Sequence, residues 1–191
     1  TTTTSTSPTT TTTSSTTFTS SEKYGGARNF NGTSDYIYVS SPTDIPIGNS
    51  KYTIDAWVNF DDAATAGIVG WGNYGTTNEV NAFRTSSTSN QLANYWWSND
   101  LFVLTGAITL NSWHHVIADF DSTTRSIYYD GDFIDSDTPT GHDVPNANNF
   151  KIGLTNTGEY LEGEIDELRI SNIEYNEEEV LPSDITYGTE Q

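Results

Sequence analysis

The chain has 191 residues, 34% of them hydrophobic and 13% aromatic, enough to bury the core of one domain of ordinary size. Seven Lys and Arg face 26 Asp and Glu, for a formal charge of −19; this excludes nucleic acid as a partner, because phosphate binding needs clustered cations, and disfavours anionic lipid. There is no Cys, which excludes disulfides, thiol catalysis and thiolate metal sites, and no apolar stretch approaches the ~20 residues of a membrane span, so no membrane insertion is expected. The chain lacks Met and any leader-like segment, as expected of a mature or trimmed protein.

Residues 1–17 are Thr and Ser with one proline, Pro8, and the first charge is Glu22. Such a segment has almost nothing to bury. Residues 1–21 are therefore read as an extended arm or linker. Disorder, O-glycosylation and a donated strand all remain open for it, since Thr is β-branched and favours strands. Residues 22–191 form the domain proper.

From Glu22 onward the text is short strands and Gly- or Asn-rich turns. Strands are expected over Tyr36–Val39, Tyr52–Phe60, Gly67–Gly72, Glu79–Arg84 and Gln91–Trp97. Trp113–Phe120 alternates well, and Ser126–Tyr129 follows it. Asp130-Gly131 is a tight-turn dipeptide, and Asp132–Asp135 returns. Phe150–Leu154 and Leu161–Ser171 complete the set; only Asn176–Leu181 reads as a helical turn or two. Many closely spaced strands imply an all-β, antiparallel two-sheet sandwich. Alternation puts Val58, Val116, Ala118, Ile127, Ile152 and Ile165 in its core, and leaves open the choices between Ile54 and Trp57 and between Leu168 and Ile170.

Five segments, in order, resemble the laminin-G-like, concanavalin A-like jelly-roll family. They are Tyr24-Gly25-Gly26-Ala27-Arg28-Asn29-Phe30-Asn31-Gly32 running into Ser34–Val39, then Tyr52–Val58, and Trp113-His114-His115-Val116. Ile127-Tyr128-Tyr129-Asp130-Gly131 and Leu161–Ile170 follow. The resemblance covers about residues 22–181 and implies a jelly-roll sandwich. It leaves function open, because the fold serves lectins, adhesins, glycosidases and structural modules.

Some jelly-roll glycosidases carry Glu-x-Asp-x-Glu on one strand, with the carboxylates on one face. Here Glu164 and Asp166 share a face, but Leu168 stands where the third carboxylate would be. His114 and His115 are adjacent on a strand, so their rings face opposite sides and cannot readily share a metal. No Gly-x-Ser-x-Gly elbow is present. The family resemblance implies calcium where the opening segment meets the last long strand, with Asp166 as carboxylate ligand, backbone oxygens near Asn31 and Gly32, and Asp35 close by. Aromatic platforms beside amides suit sugars, and the expected carbohydrate site is Asn94, Tyr95, Trp96, Trp97 and Asn99, with Trp71 nearby.

The leading expectation is thus a non-catalytic, extracellular or cell-surface structural or adhesive module: a filament subunit that self-associates through its N-terminal arm. The alternative is a calcium-assisted, carbohydrate-binding, lectin-like module with glycans as partners. A glycoside hydrolase is a third reading, disfavoured by Leu168.

Overall fold

The structure, a computed structural model, describes residues 10–13, 26–87, 91–106 and 108–175; for 10–13 the description concerns the backbone alone. The helical turn expected at Asn176–Leu181 lies outside the described residues. Thirteen strands are found among those described: β1 Thr10–Thr13, β2 Arg28–Asn31, β3 Tyr36–Val39, β4 Tyr52–Asp62, β5 Gly67–Gly72, β6 Val80–Thr85 and β7 Gln91–Tyr95. They continue with β8 Leu101–Leu104, β9 Trp113–Phe120, β10 Arg125–Tyr129, β11 Asp132–Asp137, β12 Lys151–Ile152 and β13 Glu162–Ser171.

Two antiparallel sheets face each other. One runs β11-β10-β9-β4-β13-β2. The other runs β3-β12-β5-β6-β7-β8, and β1 adds a strand outside β3. The all-β sandwich expected from alternation is the observed architecture.

The core sits between the sheets, and strand periodicity fills it. Tyr52, Ile54, Ala56, Val58 and Phe60 of β4 are all completely buried. They meet Val116, Ala118 and Phe120 of β9, Ile127 of β10, and Val69, Trp71, Phe83 and Leu92 from the opposite sheet. Ile165 belongs to the same core, and Ile152, Leu168 and Ile170 pack at its margin. The choice between Ile54 and Trp57 falls to Ile54. Trp57 pairs across the ladder with His115 on the outward face, with ring centroids 5.0 Å apart.

Two backbone features set the geometry. Gly163 has φ +142, and a Cβ there would stand 2.1 Å from the Asn59 carbonyl oxygen; only glycine lets β13 lie this close to β4. Further along β13, the register slips between Asp166 and Arg169. Glu167, at φ 50, and Leu168 form the bulge, so Arg169 rather than Leu168 stands opposite Asp55.

Candidate functional site

Two outward sheet faces carry polar and aromatic side chains. The face of β4, β9 and β13 holds Asp55, Trp57, Asn59, His115, Glu164 and Asp166. Asp55 is clamped there: its Oδ1 lies 2.7 Å from His115 Nε2, and its Oδ2 accepts from Arg169 at 2.6 Å. Asn59 donates to Glu164 at 3.3 Å. The bulge therefore continues the Glu164 and Asp166 row with a guanidinium, Arg169, where a retaining glycosidase would need a further carboxylate. Asp119 on this face is buried, and burial pushes its pKa up to about 6, against hydrogen bonds from Tyr175 and Thr53 that pull it down. His114 turns the other way, between Asp130 at 2.8 Å and the Thr109 carbonyl at 3.0 Å. Burial opposes its charge, but those two bonds and the Asp130 carboxylate together raise its pKa.

The expected calcium ligands fall in two places: Asn31, Gly32 and Asp35 lie together at the end of β2, and Asp166 lies on β13. Asn31 pairs with Glu162, while Asp166 pairs with Trp57 four residues further on, about 13 Å of strand. The Asn31 side-chain oxygen accepts from the backbone N–H groups of Thr33, Ser34 and Asp35, capping its own loop. Gly32 gives its N–H to the Leu161 carbonyl. Among the described residues no group of three His, Cys, Asp or Glu converges on one point.

The second outward face belongs to β5–β8. The six residues expected to bind sugar divide here. Trp96, Trp71 and Asn94 point into the core and are completely buried. The Trp96 indole N–H donates to the Tyr52 hydroxyl at 3.0 Å, that hydroxyl donates to Asn94 at 3.0 Å, and Trp71 donates to the Pro46 carbonyl. Arg125 lies 4.1 Å over the Trp96 ring. Asn99 ties down a loop, donating to Asn78 at 2.7 Å and to the Thr140 carbonyl. Tyr95 and Trp97 point outward and remain partly open to solvent.

These two rings meet edge to face at 5.9 Å, and Tyr74 meets Trp97 the same way at 6.3 Å. Trp97 and Ser98 both hold left-handed backbone, at φ 63 and 68. A bulky residue in that region is uncommon and costly, and such strain gathers at functional positions. The turn is fastened from both sides: Asp100 accepts from the Trp96 N–H at 2.8 Å, and Asn78 donates to the Trp96 carbonyl at 2.7 Å. The sheet beneath is made of small residues, Gly70, Ala82 and Ala93, which lets Tyr74 lie flat. A Cβ on Gly70 would stand 2.2 Å from the Tyr74 hydroxyl.

Beside this cluster runs a shallow trough of about 390 Å³ lined by Thr65, Arg84, Ser86, Ser87, Gln91 and Phe102. Arg84 joins the two halves. Its guanidinium lies 4.3 Å over the Tyr95 ring and 3.2 Å from Glu159. Arg84 is buried, yet its Nε has no hydrogen-bond partner, and neither does the Tyr74 hydroxyl. Phe102 is exposed at 43%. Of this group the sequence reading had named Tyr95 and Trp97. Arg84, Gln91 and Phe102 became visible only when β6, β7 and β8 aligned them across the ladder. Arg84 is one of four Arg in an acidic chain, and that scarcity is the available signal.

Two antiparallel sheets packed face to face over one apolar core define a β-jelly-roll module. The chain belongs to the concanavalin A-like lectin/glucanases superfamily, whose laminin-G-type model matches residues 31–181. Among solved structures it is similar to domain 4 of an extracellular arabinanase from Geobacillus stearothermophilus, in complex with arabinotriose. The two are 20% identical over 87% of this chain and 79% of that one, with TM-score 0.67. It is also similar to a carbohydrate-binding module of the Ruminococcus gnavus IT-sialidase bound to α2,3 sialyllactose (11% identity, 68% and 80% coverage, TM-score 0.56). Mouse laminin α1 domains LG4-5 share the fold at 9% identity, 76% and 40% coverage and TM-score 0.56. No curated protein matches the chain.

Proposed function

We propose that this chain is a non-catalytic, lectin-like module that binds a carbohydrate on the outward face of β6–β8. The observation that carries the reading is an outward face on which the exposed Phe102 lines a trough with Arg84, and the half-buried rings of Tyr95 and Trp97 continue from Arg84 beside it. Sugar rings offer apolar C–H faces to aromatic platforms and hydroxyls to fixed polar groups, and a site of this kind needs few of each. Arg84 is already paired with Glu159, so the trough carries no net cationic charge from that pair, which suits a hydroxyl-rich ligand. Similar modules holding arabinotriose and α2,3 sialyllactose support an oligosaccharide as the ligand class. The likeness to an extracellular arabinanase domain supports a place outside the cell. The similar modules that hold oligosaccharides favour this reading over a purely structural or adhesive role.

The test is titration of the pure protein with arabinotriose and α2,3 sialyllactose, alongside a broader glycan array, followed by tryptophan fluorescence and calorimetry. Phe102→Ala and Trp97→Ala should each weaken a measured affinity tenfold or more, about 1.4 kcal/mol. Trp57→Ala, on the opposite face, should leave it unchanged. Binding that survives both trough substitutions and disappears with Trp57→Ala would move the site to the β4, β9 and β13 face. Release of reducing sugar from a β-glucan, lost on Glu164→Gln, would overturn the non-catalytic reading.

A further inference from the structure

The β3 edge of the sandwich is held in an unusual way. On its inner side it pairs with β12, which is two residues long, through Lys151↔Tyr38 and Ile152↔Ile37. On its outer side it pairs with the arm, in the register Thr10↔Val39, Thr11↔Tyr38, Thr12↔Ile37 and Thr13↔Tyr36. Without the arm, Tyr36-Ile37-Tyr38-Val39 would be a bare edge of β-prone residues with no Pro, Lys or bulge within it to discourage pairing.

We propose that this edge accepts Thr10–Thr13 from a second copy of the chain, so that molecules associate by exchanging arms. Three observations favour the exchange. First, the backbone bonds are the same whichever copy supplies the strand, and four identical threonines carry no sequence that ties the arm to its own domain. Second, fourteen residues, 14–27, separate the arm strand from β2; extended, they reach up to about 48 Å, enough to leave one domain for its neighbour. Third, charge selects the arm as the meeting element. The whole chain carries −19, but no charged residue precedes Glu22. Two copies repel one another through their domains, while a neutral arm reaches the partner without that penalty.

A cavity of about 180 Å³ lies beneath the same edge, with Ile37 and Ile152 in its wall. The exchange edge lies at the margin of its sheet opposite β6–β8, so the inference stands apart from the carbohydrate reading.

The absence of Cys makes the test direct. Full-length Thr12→Cys and Ile37→Cys proteins are mixed and oxidised. Partners in an antiparallel ladder are about 4.5–5.5 Å apart at Cα, within disulfide reach. The expected result is a disulfide-linked pair of twice the chain mass, increasing with protein concentration and with salt as repulsion is screened. A mixture of Thr12→Cys with Ser122→Cys, on a distant turn, reports chance collision and should stay monomeric. Thr11→Cys with Tyr38→Cys repeats the experiment in case Ile37→Cys disturbs the cavity. Exchange is refuted if both mixtures remain monomeric at millimolar concentration while the corresponding double variants close only within one chain. Failure of the double variants to close at all would also overturn it, since the arm would then not occupy the edge in this register.

Discussion

His142 offers a test of how the core handles charge. It is buried, its ring stacks on Trp96 at 3.6 Å, and Tyr52 and Phe120 complete an aromatic surround. Burial, reinforced by the Arg125 charge and only partly offset by a contact with the Asn78 backbone, pushes its pKa down to about 3 from an ordinary 6.5. The unfolded chain therefore takes up this proton first, and stability falls as pH drops from about 6.5 towards 3. Integrating that linkage from pH 7.5 to pH 5 gives a loss of about 2 kcal/mol. Asp119 acts in the opposite sense. With its pKa raised to about 6, the folded chain is protonated first, and stability rises by about 1 kcal/mol over the same range. Asp119 thus offsets part of the His142 loss in the native protein. His142→Phe keeps a ring among the aromatics and deletes one term. Urea unfolding at pH 7.5 and pH 5, read by tryptophan fluorescence, should show the variant gaining about 2 kcal/mol relative to the native protein on acidification. A difference between the two proteins that does not change with pH would mean that His142 titrates normally in the fold, and the reasoning would fail.

Two further substitutions probe backbone approach. Gly163→Ala would drive a methyl against the Asn59 carbonyl at a φ that L residues rarely adopt; urea unfolding should show a loss of at least about 2 kcal/mol, and a loss under 0.5 kcal/mol would mean β13 can move off β4 freely. Gly70→Ala would drive a methyl against the buried Tyr74 hydroxyl and crowd the Ala82 methyl and the Asn81 carbonyl; it should displace the Tyr74 ring, weaken sugar binding at Trp97 and cost about 1–3 kcal/mol of stability, and unchanged affinity would show that Tyr74 takes no part in shaping the platform.

Much of this fold could be read from spacing alone, and the exceptions have physical causes. β4 and β9 alternate because one face of each packs into the apolar core while the other carries mostly polar and aromatic groups, and Asp130-Gly131 adopts the two left-handed conformations, φ 52 and 89, that its hairpin needs. β2 and β8 carry no such signal. Arg28-Asn29-Phe30-Asn31 has a single apolar residue, and in Leu101–Leu104 the outward positions are as apolar as the inward ones. The bulge at Glu167 and Leu168 was also hidden, since Glu-Leu-Arg-Ile continues a plausible alternation and only the pairing of Arg169 with Asp55 reveals the slip. The aromatic segment gave the right neighbourhood for the candidate site but not its members. Asn94 and Trp96 belong to the core, where Tyr52, 42 residues from one and 44 from the other, hydrogen-bonds both. Arg125, completely buried, was invisible as a core residue for the same reason. Its partners are the Asp137 carboxylate and the carbonyls of Asn94 and Asn99, and no local pattern announces a charge that distant groups neutralise.

The arrangement of the seven-strand sheet gives the two proposals a common consequence. The arm-accepting edge lies outside β3 and the trough lies over β6–β8, with β12 and β5 between them. A partner's arm added at β3 extends the sheet away from the trough and leaves the ligand face uncovered. A single shallow site built from two aromatic rings and one arginine binds an oligosaccharide weakly, because little of the ligand is enclosed. Linked copies presenting the same face convert later contacts into intramolecular ones, and the gain depends on whether the spacing between troughs matches the spacing of sites on the glycan. Arm exchange should therefore change avidity for a polymer while leaving affinity for a trisaccharide untouched. Removing residues 1–21 and measuring both would separate the two roles: equal loss on polymer and trisaccharide would place the arm at the ligand site itself, and loss on the polymer alone is the outcome this geometry requires.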